Sequence, residues 1–133
     1  MKKFLLSVMI LLFVALAGGV CSANPYDDDP NYVYLGTYGS GGYSTYLYLP
    51  SVSVQVYNSP HYQIAGDFVS IGGRKVIEED WESVTVRFNW NSKETYTQNS
   101  YGHWERENIN ESYYRRRADA LFRAAYGMDF YGY

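Results

Sequence analysis

Tyr114-Arg115-Arg116-Arg117-Ala118-Asp119-Ala120-Leu121-Phe122-Arg123-Ala124-Ala125-Tyr126-Gly127 is the stretch whose reading decides the fold. Tyr114, Ala118, Leu121, Phe122 and Ala125 recur at helical spacing, while Arg115, Arg116, Asp119 and Arg123 fall largely off that stripe. Asn108 and Glu111 have the spacing of a capping box, Asn110 is an equally good N-cap, and Gly127 suits a left-handed residue just past the end. The pattern predicts one helix of about 15 residues.

Upstream the period is two. Val84, Val86, Phe88 and Trp90 alternate with polar residues, as a half-buried strand requires. Tyr32–Tyr38 and Tyr43–Leu49 read as a hairpin joined by Gly39-Ser40-Gly41-Gly42, with Pro50-Ser51 closing it. Val52, Val54 and Val56 predict a further strand with one buried face. Tyr62–Ile71 predicts another, with Gly66 as a candidate bulge and Gly72-Gly73-Arg74 as its turn. Val76-Ile77 extends the sheet, Glu78–Glu82 reads as a solvated acidic turn, and Glu94–Thr97 is a short strand. Strands first and a helix last predict an α+β domain: an antiparallel sheet of five to seven strands with one C-terminal helix packed on a face.

The ends of the chain add an address. Met1-Lys2-Lys3, a nearly unbroken apolar run from Phe4 to Ala17, and Cys21-Ser22-Ala23 have the layout of a bacterial secretory signal peptide cut between Ala23 and Asn24. The run is too short for a membrane anchor, so the mature form is expected to lack a transmembrane helix. Cys21 suggests a lipidated residue, but Val20 and Gly18 reverse the preferences of the lipoprotein cut, which favours a free exported protein. The division expected is a signal peptide over 1–23, a mobile segment over 24–31 and one domain over 32–133. The exported form would be periplasmic, secreted or associated with the cell surface.

Composition narrows the function. The chain has 16 Tyr, 6 Phe and 3 Trp in 133 residues, which excludes a disordered chain. A net charge of -3 and a pI near 5.3 argue against nucleic-acid binding. Only Phe4 and Phe13 precede residue 24, so the other 23 of these 25 aromatics lie in the remaining 110 residues, which hold no cysteine. The tyrosines of the hairpin supply large contact area at low entropic cost. Tyr32, Tyr34, Tyr46 and Tyr48 are therefore candidate binding residues, and Arg116 and Arg123 are candidates for docking an acidic partner. Three consecutive arginines spread around a helix, so a solvated face competes with that reading.

Catalytic signals are sparse. His61 and His103 lack a nucleophile-elbow serine near them in sequence, and Glu79 with Glu105 has no spacing that fixes a glycosidase pair. Asp27-Asp28-Asp29 lacks the alternate offsets of a calcium loop, and the glycine turn lacks the following helix of a phosphate cradle. No cofactor and no metal are expected.

The opening Tyr32-Val33-Tyr34-Leu35-Gly36 and the passage Tyr48-Leu49-Pro50-Ser51-Val52 resemble the surface-adhesin protein E family of small bacterial exported proteins. The strand Val84–Trp90 and the ending Ala118–Gly127 extend the resemblance across most of residues 32–127. The resemblance implies an antiparallel sheet with a C-terminal helix, cell-surface display and binding to extracellular-matrix proteins. The adhesin carries a lipid anchor and a helix-to-sheet disulfide, and the mature chain here has no cysteine for either. The expected function is non-catalytic binding of a protein or envelope macromolecule. The alternatives are a small periplasmic hydrolase or carbohydrate-active enzyme, marked by a pocket gathering a histidine with two carboxylates, and an envelope structural or inhibitor protein.

Overall fold

The computed structural model describes residues 26–39, 42–72 and 78–132. The expected signal peptide and its cut between Ala23 and Asn24, together with the expected Gly73-Arg74 turn and Val76-Ile77 extension, lie outside these residues. The described chain runs β1 (Tyr32–Tyr38), β2 (Tyr43–Asn58), β3 (His61–Gly72), β4 (Glu78–Asn89), β5 (Glu94–Gln98), β6 (Trp104–Arg106) and α1 (Ser112–Tyr126). The six strands form one antiparallel meander in chain order, and α1 lies across one face against β1, β2 and β3. This is the α+β architecture expected from the change of period. No helix among the described residues is long and apolar enough to cross a membrane.

The hairpin forms as its sequence predicts, and a bulge between Tyr34 and Gly36 sets its register so that Tyr32 lies opposite Tyr48 and Tyr34 opposite Tyr46. Pro50-Ser51 does not close it. β2 continues through both residues to Asn58, because its register slips between Tyr48 and Ser53 against β3. Pro50 sits inside that slip, where its missing N–H leaves no ladder position empty. Ser51 spans the gap: its hydroxyl donates to the Tyr48 carbonyl at 2.6 Å and accepts from the Asp67 amide at 2.7 Å.

A second slip between Val54 and Val56 turns the valine series over. Val54 pairs with Ile64 and Val56 with Gln63, so the two fall on opposite faces and both are exposed. The single buried face expected for Val52, Val54 and Val56 is therefore corrected. The acidic stretch is also strand, because β4 pairs residue for residue with β3 from Glu78 to Asn89. β6 is a strand that the sequence reading omits.

The main core lies between helix and sheet. Leu35, Leu47, Ile64, Phe68, Val84, Val86 and Phe88 meet Ala118, Leu121, Phe122 and Phe130. Gly66 lies on this face, in regular register with Val84, so the irregularity belongs to β2 opposite it. A Cβ at Gly66 would stand 2.8 Å from Leu121 Cδ2 and 3.0 Å from Leu47 Cδ1. Glycine here lets the helix sit close to the sheet. Gly66→Val is expected to lower stability by about 1–3 kcal/mol through overpacking. Thermal melting checks this, and an unchanged midpoint would refute the close-approach role.

The ends of α1 differ from expectation at one side. Gly127 is left-handed at φ 73° and its amide bonds the Arg123 carbonyl at 2.7 Å. At the other end Glu111 is the N-cap, without a side-chain cap bond, while Asn108 Oδ1 accepts from the Asn110 amide at 3.1 Å. Asp119 and Arg117 are buried rather than solvated. Asp119 Oδ1 accepts from the amides of Phe130 and Tyr131 at 3.0 and 2.7 Å, which fastens the tail beneath the helix.

Candidate functional site: an aromatic face on the sheet

The face opposite α1 has a small core of its own, built of Tyr46, Val69 and Ile71. Alternation along antiparallel strands places neighbouring residues in rows across the sheet. One row runs Tyr34, Tyr46, Val69, Trp81 and the next runs Tyr32, Tyr48, Asp67, Ser83. Ring centroids lie 5.4 Å apart for Tyr34 and Tyr46, 5.0 Å for Tyr32 and Tyr48, and 6.0 Å for Tyr48 and Trp81. The rows form one continuous aromatic surface over β1, β2, β3 and β4.

Residues 26–31 are drawn onto this surface. Tyr26 stacks on Tyr32 at 4.0 Å and meets the edge of Tyr46 at 5.9 Å. The Asn31 carbonyl accepts from the Leu49 amide at 2.7 Å. The Tyr46 hydroxyl donates to Asp27 Oδ1 at 2.5 Å. Glu79 Oε1 accepts from the Tyr26 hydroxyl at 2.6 Å and from Trp81 Nε1 at 2.9 Å. These bonds, Tyr26 first, hold the Glu79 carboxyl below its ordinary pKa. The bond to Glu79 and then burial push the Tyr26 hydroxyl well above its ordinary value. The pair is therefore a neutral phenol bonded to an ionised carboxylate across the neutral pH range.

The four tyrosine candidates share this face, but their roles divide. Tyr34 is 54% exposed and Trp81 45%, so these two rings offer contact area. Tyr32 and Tyr48, in the adjoining row, are half-buried. Tyr46 is 1% exposed and lies beneath Tyr26, which corrects its reading as a contact residue. It supports the face from below.

Arg116 and Arg123 stand apart from this surface, on α1. Arg116 donates to the Leu35 carbonyl at 3.0 Å, and Arg123 makes two bonds of 2.7 Å to Asp129. With Tyr34 they line a groove of 640 Å³ between β1 and the helix. The structure thus separates the six candidates into an aromatic face and a groove that meet at Tyr34.

Trp81, Glu79 and Tyr26 are the members that sequence reading misses. Trp81 was legible in principle, because the alternation of Val84–Trp90 continues backward and places residue 81 on the face opposite Val84. Tyr26 lies in a proline-bounded acidic stretch with no period to read.

The catalytic alternatives find no assembled site in the geometry around the histidines. His61 lines a hollow of 280 Å³ with Val56, Tyr62, Gln63, Arg87 and Phe88, which contributes no carboxylate. The His103 amide donates to Asn99 Oδ1 at 3.0 Å in the exposed turn between β5 and β6. Glu105 lies on β6 and accepts from Asn99 at 2.7 Å, while Glu79 lies on β4 and serves the aromatic face. Among the described residues, no group of three or more His, Cys, Asp or Glu side chains could hold a metal ion. Compared with family models, curated proteins and solved structures, the chain finds no match.

Proposed function

We propose that this chain is an exported bacterial binding protein of the surface-adhesin protein E type, which recognises a macromolecular partner through its aromatic sheet face. The observation that carries the reading is the face itself. Tyr34 and Trp81 remain about half exposed at the ends of one cross-strand row, on either side of the buried Tyr46 and Val69. Tyr and Trp dominate binding hot spots because they combine large area with few rotatable bonds and a polar tip. A rigid sheet supplies the preorganisation that keeps ordering costs low. The signal-peptide layout supports a partner outside the cytoplasm, either an envelope macromolecule or an extracellular-matrix protein.

The test is capture of envelope and matrix fractions by the purified protein, compared with Tyr34→Ala/Trp81→Ala. Loss of two hot-spot rings is expected to weaken capture of the same partner by tenfold or more. Both positions are exposed, so a melting curve close to the parent's is the control. Capture unchanged by the double substitution would overturn the assignment of this face.

A further inference from the structure

The groove between β1 and α1 has the make-up of a ligand site in its own right. Its 640 Å³ falls within the range of about 300–1,000 Å³ common for small-molecule sites. Val33, Leu35, Leu49, Ala120 and Ala124 give it apolar walls, with the small alanines keeping it open along the helix. Arg116 and Arg123 supply the polar groups. Seven residues separate them, which is about 10 Å along the axis, so a single head group meets one of them at a time.

The two arginines are not equivalent. Arg123 is committed to Asp129 by its paired bonds. Arg116 bonds a neutral carbonyl, that of Leu35, and no carboxylate bonds it among the described residues. A guanidinium has five N–H donors, so donors remain for an anion. Asp119 is the acid on the groove wall, but it is buried and its Oδ1 accepts from two backbone amides. The favoured ligand therefore brings a negative charge to Arg116 and apolar length to the groove.

A peptide strand is disfavoured as that ligand. β1 is an edge strand, which ordinarily invites strand addition. Here its register breaks between Tyr34 and Gly36. The Leu35 carbonyl in the break already accepts from Arg116 at 3.0 Å and from the Tyr38 hydroxyl at 3.3 Å. Both lone pairs that an incoming strand would use are taken. An alkyl chain needs no ladder and meets no such obstacle.

We propose that the groove binds a single-chain amphiphilic carboxylate, with its head group on Arg116 and its alkyl chain along Val33, Leu35, Leu49, Ala120 and Ala124. This site is distinct from the aromatic face and does not rest on the function proposed for it.

Calorimetric titration with dodecanoate below its micellar concentration tests the proposal. Saturable binding at one equivalent is expected, and dodecyltrimethylammonium, with the same tail and opposite charge, binds at least tenfold more weakly. Arg116→Gln is expected to weaken dodecanoate about tenfold, and Ala124→Trp, which fills the groove from an exposed position, to abolish saturation. Absence of saturable binding, equal affinity for the ammonium amphiphile, or full binding by a folded Ala124→Trp variant would each overturn it.

Discussion

Arg117→Met is expected to destabilise the fold by about 3–5 kcal/mol at neutral pH, because it strands a buried carboxylate. Arg117 and Glu107 form an ion pair in which the two side chains are only 7% and 2% exposed. Glu107 arrives from the loop after β6, and its amide donates to the Thr95 carbonyl at 2.8 Å. The Arg117 guanidinium also lies 5.3 and 5.2 Å from the rings of Tyr113 and Tyr114. Burial pushes the Glu107 carboxyl above its ordinary pKa, and Arg117 pulls against that shift. Without the arginine the upward shift grows.

The pH dependence follows from the sign of that shift. A carboxyl whose folded pKa exceeds its unfolded value binds protons more tightly when folded, so stability falls as pH rises through the window between the two. The deficit of Arg117→Met is therefore largest at neutral pH and shrinks as acid neutralises Glu107. Arg117→Met/Glu107→Leu, which removes both charges, is expected to recover most of the loss. Urea midpoints at neutral and mildly acidic pH measure all three effects. A single-variant loss below about 1 kcal/mol at neutral pH would mean the carboxylate finds water, contrary to its burial.

Phe122→Ala is the second large effect, at about 3–5 kcal/mol. Phe122 is 2% exposed at the centre of an aromatic cluster. It stacks on Trp90 at 5.4 Å and 25°, and meets Tyr62, Phe88 and Phe130 at 5.4, 5.4 and 5.5 Å. Its removal leaves a void bounded by rings that cannot collapse without leaving the sheet. Trp90 emission should shift to the red as water reaches the gap, and Phe122→Leu should lose less. A loss under about 1.5 kcal/mol would show that the cluster closes over the gap more readily than rigid rings allow.

These residues also show what was legible in the sequence. Phe122, Leu121 and Ala118 fall on the helical stripe, and Phe88 and Val86 on the strand alternation, so the main core could be read from period alone. The tyrosine hairpin was legible for the same reason, as was the pairing of faces within each strand, Tyr32 with Tyr34 and Tyr46 with Tyr48, but the bulge between Tyr34 and Gly36 that brings the two pairs onto one face was not. Local period fails where a distant group decides the outcome. Arg117 and Asp119 look solvated because their partners, Glu107 and the Phe130 and Tyr131 amides, lie elsewhere in the chain. Val56 changes face because a register slip leaves no mark on composition. The acidic stretch reads as a turn because carboxylates are depleted in strands, yet pairing along β3 holds it extended. Which tyrosine is contact and which is support depends on Tyr26, and nothing in its own neighbourhood announces where it docks.

Every ladder in this sheet joins strands that are consecutive in the chain. The entropy lost on closing a loop grows with the logarithm of its length, so such neighbours meet at small cost. The bond from Arg116 to the Leu35 carbonyl closes 81 residues and is among the last that a growing chain can make. Synthesis order and closure cost thus agree on one timetable, in which hairpins accumulate first and the helix arrives after its docking surface exists. In the interval Leu47, Ile64 and Val86 face water unprotected. A nascent chain is most open to aggregation and to chaperone capture during that interval, and the arrival of the helix ends the exposure.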